Sequence, residues 1–208
     1  MSNLIRRTFI FLTVIAAAGV TGWSGEDLLP PAPEGSFGIA VIPDTQAYRG
    51  RVLAEHASRR AIVASHMGLG PLLQPKQPED FFAAAKGRMQ WKKIHGSLGN
   101  TPQQMWDKCF RRHANVFLIL SGDQSRTQAL RQVSQNDAGR PVHEVLSDYM
   151  ATTGTPDCWL RICRFLPAEN RIDVFTVDSR TGRLCPGTKL VPHRDAHQFS
   201  LPYAMTDS

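Results

Sequence analysis

Four residues of types that bind divalent metal ions stand at the ends of three apolar segments. Asp44 and Gln46 close the first segment, His66 closes the second and Asp123 closes the third. Carboxylate, amide and imidazole groups suit a divalent cation that takes oxygen or mixed oxygen and nitrogen ligands. The pattern therefore predicts a metal site wherever the three segments end together. The alternative for Asp44 is a simple turn, for which Asp-Thr is also a typical sequence.

The three segments, at residues 37–46, 59–66 and 115–123, have the pattern of buried strands. Short apolar runs that end in a turn or a polar residue are typical of such strands. Proteins with an open α/β sheet bind their ligands just beyond the carboxyl ends of the strands. We therefore expect Asp44, His66 and Asp123 at one edge of a sheet. A second interpretation of Asp123 is that it caps a following helix.

Pro43-Asp44-Thr45-Gln46 resembles the first motif of the calcineurin-like metallophosphoesterases, in the exported bacterial branch that has this sequence in place of Asp-x-His. The resemblance extends over about residues 37–202 and includes five further segments: Thr101–Gln104, Ser121–Arg126, Asn136–Gly139, Val142–Tyr149 and His197–Phe199. It implies an α/β fold with a mixed β-sheet sandwich flanked by helices, in the order αββα. It also implies hydrolysis of phosphoesters with divalent Mn, Fe, Zn or Mg.

Two motifs of that family are missing between the first and second segments, where only the 12 residues Ala47–Ser58 stand. In the family, Gly-Asp-x-x-x-Asn supplies the carboxylate that bridges two metals. Gly-Asn-His-Asp supplies an Asn ligand and the His that protonates the leaving group. The final Gly-His-x-His also differs, because Asp123 and Ser125 take its two His positions. The resemblance therefore implies a hydrolase by descent that is weak or inactive and holds one ion or none. The alternative is a non-catalytic exported binding protein or a truncated gene product.

The charge of the chain bears on its partners. Its 24 basic and 18 acidic residues give a net charge of +6, and the basic residues are scattered. Nucleic-acid binding would require them on one face, so we expect no nucleic-acid partner. A phosphorylated small molecule or other phosphoester substrate is compatible with this charge. Arg126 is a candidate phosphate ligand through its planar guanidinium group, the alternative being an ordinary surface arginine.

The N-terminus has the pattern of an export signal. Arg6 and Arg7 precede an apolar run at Thr8–Val20 of about 13 residues, which is too short to span a bilayer comfortably. We predict a signal peptide at 1–18, of the twin-arginine or the general secretory type, a linker at 19–36 and one domain at 37–208. The protein would be periplasmic or extracellular, with no stable membrane span after cleavage. An uncleaved N-terminal anchor is the alternative.

Local patterns predict several further elements. Thr101-Pro-Gln-Gln104 is a helix start with a capping box, and the helix should continue to about Arg112. Val142–Met150 is interpreted as a short segment that packs on the sheet. Trp159–Leu166 and Arg171–Val177 predict a β-hairpin, so the C-terminal part should be antiparallel.

Export would permit disulfides, and the chain has four cysteines. Cys158 and Cys163 are five residues apart on one predicted strand, so they point to opposite faces and cannot bond each other there. Cys185 could reach one of them across a sheet. Cys109 lies on the predicted helix and is expected in the core.

Overall fold

The computed structural model describes residues 50–92, 99–149 and 159–203. The helices in these ranges are α1 Arg51–Glu55, α2 Asp80–Ala83 and α3 Pro102–Lys108, with 3₁₀ turns at Phe110–Arg112, Pro167–Glu169 and Arg194–Ala196. The strands are β1 Ala61–Ser65, β2 Leu69–Pro71, β3 Lys86–Arg88, β4 Val116–Ser121, β5 Ala129–Gln135, β6 Pro141–Ser147, β7 Trp159–Leu166, β8 Arg171–Asp178 and β9 Phe199–Pro202. The fold is mixed α/β, with several sheets, few helices and an antiparallel C-terminal set of strands. The predicted signal peptide, the linker and the strand that ends at Asp44 lie outside the described residues.

The main sheet has the strand order β1-β4-β6-β5. The β1, β4 and β6 strands run parallel, and β5 pairs antiparallel with β6. The predicted strands before His66 and before Asp123 are therefore confirmed as β1 and β4. The prediction that the segment from Val142 packs on the sheet is wrong, because Pro141–Ser147 form β6, which is a strand of the sheet itself. Val142 and Val145 point to opposite faces and both are buried there, as expected for a strand covered on both faces.

Helix α3 begins as its sequence predicts. The Thr101 hydroxyl accepts a hydrogen bond from the Gln104 backbone N–H at 3.1 Å, and the Gln104 side chain accepts one from the Thr101 N–H at 3.0 Å. This reciprocal pair is a capping box, which satisfies two backbone donors that the first helical turn leaves open. The helix ends at Lys108, and the 3₁₀ turn continues the helical path to Arg112.

Apolar residues cover both faces of the main sheet. One cluster joins the sheet to α1, α3 and the following 3₁₀ turn; its members are Leu53, Ala61, Val63, Met105, Trp106, Cys109, Phe110, Val116, Ile119 and Val142. The other joins the main sheet to the C-terminal strands; its members are Ile62, Phe117, Leu118, Val145, Ile172, Val174, Leu201 and Tyr203. Cys109 is therefore in the core, as predicted. Burial of this apolar surface is the main force that holds the layers together.

The C-terminal sheet has the order β7-β8-β9 and is antiparallel throughout. The predicted hairpin is confirmed, with Trp159 paired to Asp178 and Leu166 paired to Arg171. Cys163 and Cys185 are both free thiols, so the disulfide considered between them does not form; Cys158 lies outside the described residues.

A two-stranded ribbon, β2 with β3, is joined to the main sheet by an ion pair. Arg88 on β3 binds Glu144 on β6, and the Glu144 carboxylate also accepts hydrogen bonds from Ser134 at 2.7 Å and Gln132 at 2.9 Å. The Arg88 guanidinium also lies 4.1 Å from the ring centre of Trp106. Glu144 is buried with its charge fully compensated, so we assign it a structural role.

Candidate functional site

The parallel pairing of β1 with β4 sets the position of the predicted metal ligands. Ser65 at the end of β1 lies opposite Ser121 at the end of β4. Just beyond, the Gly122 N–H donates to the His66 carbonyl at 3.3 Å, so the two chains leave the sheet side by side. Two neighbouring parallel strands therefore deliver His66 and Asp123 to the same edge.

The His66 and Asp123 side chains come together at that edge. Their Nε2 and Oδ2 atoms are 3.7 Å apart, and the side chains are 41% and 18% exposed. We call these two residues the strand-end pair. The His66 ring is open to solvent, whereas the Asp123 Oδ2 atom that faces it is buried, so access to the pair is from the His66 side. The sequence-based prediction that both residues lie at one sheet edge is confirmed.

The backbone of Asp123 adopts a conformation that few residues tolerate. Its φ is +56°, in the left-handed region, where Asp is one of the few non-glycine residues found regularly. No helix follows Asp123, because residues 122–128 form a loop that leads into β5, so the helix-cap interpretation was wrong. Strained residues of this kind tend to occur at functional sites, which supports a role for this carboxylate.

The loop after His66 is held by close contacts with the end of β4. The Ser65 hydroxyl donates to the Met67 carbonyl at 2.9 Å, and the Leu69 N–H donates to the Ser121 hydroxyl at 3.5 Å. A Cβ atom on Gly68 would lie only 2.6 Å from the Ser121 Oγ atom and 2.7 Å from its Cβ. Only glycine fits at position 68, and this close approach fixes the path of the chain from His66.

The two remaining predicted ligands, Asp44 and Gln46, lie outside the described residues. In the part of the chain that the structure describes, no group of three or more His, Cys, Asp or Glu residues is arranged to hold a metal ion. Of the four predicted ligands, the structure therefore describes the strand-end pair, and its role as a metal ligand stays a prediction.

The Arg126 side chain lies against an aromatic ring. Its guanidinium carbon is 5.2 Å from the ring centre of Phe81, which lies in α2. Stacking on a ring leaves the guanidinium N–H groups free to donate in the plane of the group. This geometry is compatible with the predicted phosphate contact, which stays a prediction.

A second polar cluster lies on the inner side of the C-terminal sheet. It consists of Tyr149, Arg161, Thr176 and His197, and we call it the Arg161 cluster. Tyr149, Thr176 and His197 are all buried, with exposed fractions of 6%, 0% and 0%. Arg161 donates to the hydroxyls of Tyr149 and Thr176 and, at 3.0 Å, to the Ala196 carbonyl.

The hydrogen bonds of the Arg161 cluster fix the tautomer of His197. Its Nε2 atom lies 2.8 Å from the Val191 carbonyl, which can only accept, so Nε2 carries a proton. Its Nδ1 atom lies 2.8 Å from the Tyr149 hydroxyl, which accepts from Arg161 and donates to Nδ1 when the imidazole is neutral. The arrangement suits a neutral imidazole. Burial lowers the pKa of His197, and the nearby Arg161 charge lowers it further.

Sequence reasoning missed the Arg161 cluster, because the opposite face of β7, which carries Leu160 and Ile162, is as apolar in the sequence as the face that carries Arg161. On β7, Trp159, Arg161, Cys163 and Phe165 are partly buried and alternate with exposed residues. Side chains two apart along a strand share a face, so the arginine stands at an inward position among apolar neighbours. A charge at such a position needs buried partners, and those partners come from distant parts of the chain.

No helix in the described ranges is long and apolar enough to cross a membrane. Comparison of this chain with protein-family models, with curated proteins and with solved structures found no significant match.

Proposed function

We propose that this chain is a metallophosphoesterase-like protein that binds one divalent cation weakly and hydrolyses phosphoesters slowly or not at all. Asp44, Gln46, His66 and Asp123 would hold the ion. The proposal includes an αββα sandwich as the complete fold, and export across the inner membrane. The observation that carries it is the 3.7 Å approach of the His66 and Asp123 side chains at the ends of two parallel strands.

The geometry of the strand-end pair fits a metal ion. Two ligands of one tetrahedral zinc ion stand about 3.4 Å apart, given bond lengths of about 2.1 Å. The Nε2 to Oδ2 separation is 3.7 Å, and the His66 ring is exposed enough to rotate by the small amount needed. An imidazole with a carboxylate is a common donor set for zinc, manganese and iron. Magnesium fits less well because it prefers oxygen ligands.

A bound divalent ion would polarise a phosphoryl oxygen and lower the pKa of a bound water. The residues of the chain would bind and orient the substrate, with Arg126 as the phosphate ligand. The motifs that supply a bridging carboxylate and a general acid in the resembling family are missing from the sequence. Loss of a general acid alone typically costs a factor of about 100 to 10,000 in rate, so fast turnover is not expected.

The experiment is a calorimetric titration of the full chain with Mn²⁺ and with Zn²⁺, together with the His66→Ala and Asp123→Asn variants. Asn tolerates the left-handed conformation, so the second variant removes charge without adding backbone strain. We expect both variants to weaken binding at least about tenfold, because each removes one of the few ligands of the ion. His193→Ala and Asp195→Asn are matched controls, because they change the same residue types at exposed positions.

Two results would contradict the proposal in different ways. Equal affinity in the wild type and both variants would remove the strand-end pair from the site. Turnover of bis(p-nitrophenyl) phosphate at rates usual for enzymes, about 1–1000 per second, would refute the proposal that hydrolysis is slow or absent. Ion binding without any hydrolysis would favour the non-catalytic exported binding protein.

A further inference from the structure

The outer face of the C-terminal sheet carries an exposed apolar patch. Leu160, Ile162 and Leu184 are 52%, 42% and 42% exposed, so three of the seven exposed large hydrophobic residues in the described ranges lie here. Strand pairing sets Val177 opposite Leu160 and Phe175 opposite Ile162. Val177 also pairs with Leu184 on its other side. We call these five residues the outer patch.

The pleat of the sheet fixes the direction in which the outer patch faces. Ile172 and Val174 on β8 are buried in the core against the main sheet. Side chains alternate along a strand, so Phe175 and Val177 point the other way. Residues that are directly paired in an antiparallel sheet share a face, which places the other three members of the patch on this outer side as well. The patch is therefore one continuous surface across three neighbouring segments of the chain.

A charged pair borders the outer patch on the same face. Arg164 on β7 pairs with Asp173 on β8 in the next row of the sheet. The Arg164 guanidinium carbon lies 5.1 Å from the ring centre of Phe175, so this charge stands beside the apolar residues. The Asp173 carboxylate accepts hydrogen bonds from Arg171 at 2.8 Å and from Ser200 at 2.7 Å, which hold it in place. The face thus combines an apolar part with a cation on one strand and an anion on the next.

We propose that the outer patch is the contact between two copies of this chain, related by a two-fold axis that runs along the strands between β7 and β8. Under this operation β7 of one protomer faces β8 of its partner, row by row. The apolar rows cover each other, with Ile162 opposite Phe175 of the partner. Arg164 lies opposite Asp173 of the partner, and this contact occurs twice because the interface is isologous.

The charges on this face select the second copy and the position of the axis. An axis along β8 would set Asp173 of one protomer against Asp173 of its partner, and such like-charge contacts are costly. With the axis between β7 and β8, every charge of the Arg164 row meets its opposite. The face is therefore complementary to itself in both its apolar and its charged part.

The size of the face sets the strength of the contact. The 8 residues of β7 span about 27 Å and three neighbouring segments span about 14 Å, which gives a projected area of roughly 400 Å². A stable dimer buries about 800 Å² of accessible surface on each partner, so this contact is small. Two sheets that stack face to face lie about 10 Å apart, with their strands within about 30° of each other. We expect a reversible dimer with a dissociation constant of about 10 µM to 1 mM.

The test is sedimentation velocity of the full chain at concentrations on both sides of that range. Chelator is present so that no metal ion bridges two copies, and failure of the proposed function therefore leaves this result unaffected. In Leu160→Thr we expect at least about tenfold weaker association, because apolar contact is lost twice in each dimer. Leu73→Thr is the matched control: it is the same substitution at a residue that is 71% exposed on the loop after β2, and its association should equal that of the wild type.

A charge exchange tests the position of the axis. Arg164→Glu sets a carboxylate against Asp173 of the partner, and Asp173→Arg sets a cation against Arg164 of the partner, so each variant should associate less than the wild type. In a mixture of the two variants every changed residue meets its opposite. The mixture should then associate at least about tenfold more tightly than either variant alone. Urea unfolding checks that both variants are folded.

Three outcomes would overturn the proposal. The first is a wild-type chain that stays monomeric over the whole concentration range, which would leave the outer patch to a different protein. The second is wild-type association in Leu160→Thr, which would place the contact elsewhere, for example in the apolar run at Thr8–Val20. The third is a mixture of the charge variants that associates no more tightly than each variant alone, which would refute the two-fold arrangement.

Discussion

The strand-end pair and the Arg161 cluster are built in opposite ways. The pair consists of two partly exposed side chains that meet at 3.7 Å, delivered by parallel strands and a strained backbone. The cluster consists of four residues from four separate segments, three of them buried, with nearly every polar atom hydrogen-bonded. The groups of the pair are left partly open to solvent, whereas the groups of the cluster are closed on one another. The first arrangement contributes little stability, and the second contributes a good deal.

The largest expected effect follows from removing the central hydroxyl of the Arg161 cluster. Tyr149→Phe leaves the His197 Nδ1 acceptor and one Arg161 donor without a partner in a buried place. We expect the free energy of unfolding to fall by about 2–3 kcal/mol, the usual cost of buried unsatisfied groups near a charge. Urea unfolding followed by tryptophan fluorescence measures it.

His66→Ala supplies the comparison, with an expected change within about 0.5 kcal/mol for a partly exposed residue outside the core. If the two variants lost the same stability, the contrast between the two regions would be wrong. The pair would then be part of the structural core of the sheet edge.

The next effect concerns the contact that positions the strand-end pair. In Gly68→Ala, the new Cβ would collide with the Ser121 side chain, which is too short to move aside. We expect a loss of about 1–3 kcal/mol from overpacking, together with weaker Mn²⁺ binding because the path from His66 changes. Both are measured on one preparation, by urea unfolding and by calorimetry.

Gly122→Ala is the matched control, since its Cβ would meet the Ser147 carbonyl at an ordinary 3.7 Å. The double variant Gly68→Ala with Ser121→Gly removes the colliding atoms and should recover part of the loss. If Gly68→Ala were neutral, the loop would be able to shift, and the fixed position of His66 would be refuted.

The contrast between the regions also explains what could be predicted from the sequence. The helix start at Thr101 and the hairpin from Trp159 depend on neighbouring residues, so local patterns were sufficient. The meeting of His66 with Asp123 could be predicted because parallel strands end at a common edge. These features need no knowledge of how distant segments pack.

Other features depend on distant partners and were not predictable. The β6 strand contains two polar residues, His143 and Glu144, whose partners lie far away in the sequence. In the fold both are buried, His143 beside the Pro202 carbonyl at 2.9 Å and Glu144 in its ion pair with Arg88. The Arg161 cluster likewise forms only when β7 pairs with β8 in the observed register and the segment that carries His197 packs against Tyr149.

The smallest expected effect is a change in pH dependence. Burial lowers the pKa of His197 from its ordinary value of 6.5, so the folded protein keeps this imidazole neutral where the unfolded chain binds a proton. Stability from His197 is therefore present above pH 6.5 and is lost as the pH falls towards the folded-state pKa. His143, whose pKa burial also lowers, contributes in the same direction.

His197→Gln tests this assignment, because Gln can donate to the Val191 carbonyl and accept from Tyr149 without titrating. Between neutral pH and about pH 5, the range in which histidines usually titrate, the variant should lose less unfolding free energy than the wild type. The dependence of the unfolding free energy on pH that remains in the variant comes from His143 and the other titrating groups. If the variant and the wild type lost stability in parallel, His197 would take up no proton on unfolding. The neutral tautomer assigned to His197 from its two hydrogen bonds would then be wrong.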